Sequence, residues 1–174
     1  MMKKGAWASL ALVALAFPAV DALAAQEAGD RIVTLSGSGS SDNDFDSTSA
    51  GVNGQIGWMR SDNLELGVRQ TVNANAFGDG QEAWSGSTLG YVAWNFGTGD
   101  IVPYVGANLG GIYGENVKDT SAAGLETGLR FYVKEKTFIA AQVQYEFLFD
   151  DADDIDTRFN NGAFFYSLGI GFNF

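Results

Sequence analysis

The 174-residue chain is expected to be all-β, an eight-stranded antiparallel up-and-down barrel that spans a membrane. Three observations predict this fold. Large apolar residues recur at every second position along most of the chain, the period of strands rather than of helices. The connections between the alternating runs switch between short and long. The last run, YSLGIGFNF (Tyr166 to Phe174), ends inside its own alternation, where a soluble domain ordinarily finishes in a few loosely held polar residues.

Residues 1–24 are set apart from the fold. Lys3 and Lys4 precede an uncharged stretch from Gly5 to Val20, followed by Ala22, Leu23 and Ala24 in an A-x-A arrangement, the layout of a secretory signal peptide. Cleavage is expected after Ala24, with Ala25 the neighbouring alternative, leaving 25–174 as a single barrel domain. The apolar segment is too short for a membrane anchor, which needs roughly 20 residues. Loss of Lys3, Lys4 and Asp21 takes the formal charge from -11 to -12, since two positives and one negative go. So acidic a chain repels nucleic acid, which is excluded as a partner. With no cysteine the fold rests on packing and hydrogen bonds. With no histidine it lacks the commonest general base and metal ligand.

The eight strands are expected at 31–40, 48–59, 64–74, 84–96, 102–113, 121–133, 137–149 and 163–174. In the first and fourth, Gly and Ser occupy both faces, so a bulge could shift their parity. The third alternates cleanly, with Leu64, Leu66, Val68 and Val72 opposing Glu65, Gly67, Arg69, Thr71 and Asn73. The sixth sets Leu125, Leu129, Phe131 and Val133 against Gly124, Glu126, Gly128, Arg130 and Tyr132. The seventh sets Ile139, Ala141, Val143, Tyr145 and Phe147 against Gln142, Gln144 and Glu146, and the eighth places Phe164, Tyr166, Leu168, Ile170, Phe172 and Phe174 on one face.

RSDN, GTGDI and KEK make short turns; SSDNDFDS, NAFGDGQEA, GENVKDT and DDADDIDTRFNNG make longer loops. A meander puts all short turns at one end and all long loops at the other. The loops carry Asp42, Asp44, Asp46, Asp79, Glu82, Glu115, Asp119, Asp150, Asp151, Asp153, Asp154 and Asp156 against only Lys118 and Arg158, so the long axis is electrically polarised.

Alternation says only that two faces differ, and a soluble barrel with an apolar lumen would share it. Three features select the inside-out design. The polar face is mostly Gly, Ala, Ser, Asn and Gln, suited to a narrow packed lumen. Aromatic residues gather at the strand ends: Trp58, Trp94, Phe96, Phe131, Phe172 and Phe174 by the short turns, and Trp84, Tyr113, Tyr145, Phe147, Phe149 and Phe164 by the long loops. The strands reach the roughly 9 to 11 tilted residues that span a bilayer. In lipid the sheet must also close, so the first and last strands must meet.

With its signal peptide, eight strands, short turns at one end and YSLGIGFNF terminus, the chain resembles the small Gram-negative outer-membrane barrels of the OmpX, Ail and OmpA-membrane-domain kind. The resemblance implies a monomeric outer-membrane protein with both termini periplasmic. It implies contact with membrane lipid and lipopolysaccharide. It also implies a C-terminal signal, Tyr166, Leu168, Ile170, Phe172 and Phe174, read by the barrel assembly machinery.

Glu65, Arg69, Glu126, Arg130 and Glu146 form the candidate lumen charge network. Strand three runs away from the short turns and strand six towards them. Glu65 and Arg130 therefore sit low, while Arg69 and Glu126 sit near mid-height, giving two candidate ion pairs in stacked layers. Their expected use is a static polar core in which buried charges are paired; the alternative is a gate on a narrow water path. Without histidine no nucleophile has its usual base, so the chain is not expected to be an enzyme. Asp42, Asp44 and Asp46, with Asp151, Asp153 and Asp154, are weak candidates for holding calcium or magnesium, since Ser47 replaces the glycine an EF-hand needs and its closing Glu is missing. The expected role is structural, within the envelope and with at most a narrow pore; the alternative is a surface adhesin acting through the acidic loops.

Overall fold

The computed structural model describes residues 26–42, 48–76, 82–97, 99–114, 117–149 and 162–174. Its strands are β1 (Arg31–Asp42), β2 (Thr48–Met59), β3 (Leu64–Ala76), β4 (Glu82–Asn95), β5 (Ile101–Gly114), β6 (Val117–Lys134), β7 (Thr137–Phe149) and β8 (Gly162–Asn173). Each pairs antiparallel with its neighbour in sequence, and β1 pairs with β8, so the sheet closes on itself. The seam runs from Ile32 opposite Asn173 to Asp42 opposite Ala163. Beyond it, the Arg31 amide donates to the Phe174 carbonyl at 2.8 Å and the Phe174 amide to the Arg31 carbonyl at 3.0 Å. Closure pairs the backbone groups that lipid cannot solvate.

The two faces are sorted opposite to those of a water-soluble protein. Leu35, Leu109, Leu125 and Leu168 are each more than 60 % exposed on the outside, while Glu65, Arg69, Arg130 and Glu146 are buried within. An apolar exterior around a charged interior is stable only against hydrocarbon, so the barrel is transmembrane. Among the described residues no helix is long and apolar enough to cross a membrane; the crossing is made by strands. Trp58, Trp94, Phe96, Phe131, Phe172 and Phe174 stand exposed around the short-turn end, and Trp84 near the other. There Tyr145 packs edge-on against Phe147 and Phe164, with ring centroids 5.0 and 4.8 Å apart.

One connection differs from expectation. GENVKDT is not a long loop: β6 begins at Val117, leaving two residues between β5 and β6. Thr120 to Val117 pair back onto β5 past a register shift between Ile112 and Gly114, and this continued pairing satisfies backbone groups that a loop would leave to water. The expected signal peptide and the loop acids Asp44, Asp46, Asp79, Glu115, Asp150, Asp151, Asp153, Asp154 and Asp156 lie outside the described residues.

Large rings fit inside so small a barrel because glycines face them. Tyr91 on β4 lies opposite Gly67 on β3, and Phe138 on β7 opposite Gly171 on β8. A Cβ at either glycine would run into the ring. The ring thus covers backbone that the missing side chain would expose.

Candidate functional site

The lumen is built in layers. At the short-turn end Ile32, Met59, Val102, Tyr132, Phe138 and Ala140 form a buried apolar floor. This corrects the expectation of a polar lumen throughout: near the strand ends the interior is sealed by side chains as apolar as those outside. Tyr132 and Phe138 pack with ring centroids 5.1 Å apart, and the Asn173 amide donates to the Tyr132 hydroxyl at 2.9 Å. Gln26, ahead of β1, is tucked into the same end and is almost fully buried. Its segment is held by the Gly29 amide on the Met59 carbonyl at 2.9 Å and the Ala28 amide on Asp62 Oδ1 at 3.0 Å.

Above the floor, β6 contributes Arg130. Its Nη2 donates to Glu65 Oε2 at 2.6 Å, and its Nη1 to Asn95 Oδ1 at 3.0 Å and Gln26 Oε1 at 3.1 Å. The guanidinium lies over the rings of Tyr104 and Phe138, 4.9 and 5.4 Å from their centroids. The other Glu65 oxygen accepts the Tyr91 hydroxyl at 2.6 Å. One layer higher, Arg69 grips Glu126 through two bonds, Nη1 to Oε2 at 2.9 Å and Nη2 to Oε1 at 3.0 Å. Arg69 also donates through Nε to Gln55 Oε1 at 3.1 Å and through Nη1 to Gln144 Oε1 at 2.6 Å. The Gln142 amide is satisfied with its oxygen 2.8 Å from Arg69 Nη2 and its nitrogen 3.2 Å from the Tyr104 hydroxyl. A water-sized space then opens, lined by Ser38, Asn53, Thr71, Ser87, Gln144 and Ser167 beneath Phe165.

The structure thus brings Glu65 to Arg130 and Arg69 to Glu126. Glu146 stands outside both ion pairs; among the described residues the Gln144 amide donates to its Oε1 at 2.5 Å. Tyr166, Leu168, Ile170, Phe172 and Phe174 all face outward on or just past β8. Among the described residues no group of three or more Asp, Glu, His or Cys is placed to hold a metal. Asp42 closes β1. Sequence reasoning missed Gln26, Tyr91, Asn95, Tyr104 and Asn108 as partners of the charges, and Phe165 as a lumen residue. Tyr91 and Asn95 share the parity opposite Val92 and Trp94, a signal that could have found them.

No family model matches the chain, and no curated protein matches it. Solved structures do. Neisserial surface protein A superposes with a TM-score of 0.64 at 16 % identity, covering 85 % of this chain and 98 % of that one. The N-terminal β-barrel domain of Pseudomonas aeruginosa OprF gives 0.58 at 20 % identity, over 86 % and 100 %. The fold is that of the small outer-membrane barrels. The attachment invasion locus protein of Yersinia pestis, Ail, shares that fold with a TM-score of 0.54 at 13 % identity, over 86 % of this chain and 100 % of Ail. At such identities the likeness shows the outer-membrane barrel fold alone.

Proposed function

We propose that the chain is an integral outer-membrane barrel whose role is structural, holding its place in the envelope with a lumen closed at rest. One observation carries the reading: an apolar floor and two fully buried arginine layers fill the interior from Gln26 up to Glu126. A conducting pore needs a continuous wet path, and paired guanidinium layers over an apolar seal do not supply one.

In this reading the short turns and Phe174 face the periplasm, and the acidic loops face outward. There calcium or magnesium would bridge them to anionic lipopolysaccharide. The outward alternation of β8 would serve the assembly machinery. Closure removes sheet edges, which suits a monomer. No catalytic role is proposed, since the chain has no histidine to serve as a base. Ail has been crystallised with a heparin analogue, sucrose octasulfate. The acidic loops of this chain would repel such a polyanion, which argues against adhesion of that kind.

The test is conductance of the refolded protein in planar bilayers, beside Glu126→Gln. The wild type is expected to show no sustained current, and a stable open level would overturn the closed-lumen reading. Current appearing only in Glu126→Gln would identify the Arg69 layer as the seal.

A further inference from the structure

Among the described residues the charges inside the barrel do not balance. Among the described lumen side chains three carboxylates, Glu65, Glu126 and Glu146, face two guanidiniums, Arg69 and Arg130. Glu65 and Glu126 each have their arginine. Arg69 has nothing left for Glu146. A guanidinium carries five N–H donors, and those of Arg69 go to Gln55, Gln144, Gln142 and, twice, to Glu126. Glu146 is buried, with a single amide donating to it among the described residues. A buried carboxylate outside any ion pair is costly enough that something must neutralise it.

A second group beside it points to what does. Asn108 is 94 % buried by its 6 % exposure, and its amide nitrogen is committed to Glu126 Oε2 at 3.0 Å. That bond fixes the amide, leaving Asn108 Oδ1 buried without a donor. Asn108 and Glu146 flank Gly124, one strand to either side. Both lean over it: a Cβ built there would meet Glu146 Cγ at 3.0 Å and Asn108 Oδ1 at 3.1 Å. Asn53, lining the space above the Arg69 layer, presents another buried oxygen with no donor. Two buried amide oxygens without a donor thus share this part of the lumen with Glu146, beside the hydroxyls of Ser38, Thr71, Ser87 and Ser167.

We propose that a monovalent metal cation, of sodium or potassium size, occupies the lumen above the Arg69 layer, held by the Glu146 carboxylate and Asn108 Oδ1 with water completing its shell. One carboxylate and one amide oxygen balance a single positive charge; a divalent ion would leave an excess and prefers more carboxylates. The site is blind, because the Arg69 and Arg130 layers and the apolar floor close it below.

The test uses the refolded barrel in zwitterionic detergent, in chloride salts of sodium, potassium or N-methylglucamine at equal ionic strength and pH. The last cation is too bulky to enter. The urea midpoint should be higher in sodium or potassium than in N-methylglucamine, and Glu146→Gln should abolish the difference. Equal wild-type midpoints would mean that a proton neutralises Glu146, and would overturn the proposal. So would a difference retained in Glu146→Gln, which would place the ions on the acidic loops. Should Glu146→Gln fail to fold, thallium soaked into wild-type crystals decides: an anomalous peak between Glu146 and Asn108 is expected, and its absence overturns the site.

Discussion

Arg130 meets Glu65, Asn95 and Gln26 within 3.1 Å, in a layer where water does not reach. Arg130→Ala takes the paired guanidinium from buried Glu65 and leaves it, among the described residues, the Tyr91 hydroxyl. Removing one partner of a buried pair costs on the order of 3–5 kcal/mol, so the urea midpoint should fall sharply. Replacing both members, Glu65→Leu with Arg130→Met, should restore much of the loss, and midpoints unchanged in the single variant would sink the pairing argument. That Glu65 and Arg130 share a height was readable from strand direction alone. Their uncharged partners were not, because Gln, Asn and Tyr on the inner face look the same whether they bind a guanidinium or merely fill space. Gln26 left no trace at all, since it precedes β1 and belongs to no alternation.

For the strands, alternation carried most of the information: Leu66, Val68 and Val72 face lipid, and Glu65 and Arg69 face inward, because one face of the sheet is hydrocarbon and the other is not. It failed where that contrast vanishes. Ile32, Met59, Val102 and Phe138 are apolar yet inside, because the end of the lumen must be sealed. Gln70 and Thr88 are polar yet outside, and they satisfy one another through the Thr88 hydroxyl at 2.7 Å, with Tyr113 2.5 Å from the Gln70 amide nitrogen. Neither strand alone predicts the fit of β3 to β4, where Tyr91 covers Gly67. Gly67→Val should cost about 1–3 kcal/mol by overpacking, measured by urea unfolding in detergent. Tyr91→Ala added to it should recover part of that loss; a Gly67→Val barrel as stable as wild type would show that the ring is free to move aside.

Across the whole molecule, the layers give the barrel a direction: a sealed end holding Gln26 and Phe174, a charged middle, and above it a small polar space. The closed seam adds something about connectivity. Because Arg31 and Phe174 exchange backbone hydrogen bonds as neighbouring strands do, the eight strands form a ring with no first member. A circular permutant, with a short linker from Phe174 to Gln26 and new ends opened within 43–47, should fold in detergent to the same spectrum and the same protease-resistant core. Its β8 alternation would then be internal, with no terminal phenylalanine. On the proposed reading of the β8 row as an assembly signal, delivery to the membrane of cells should fall while folding persists, and deletion of Phe174 alone should do the same. Equal surface levels for the permutant and wild type would mean that the outward row on β8 is read wherever it lies in the chain.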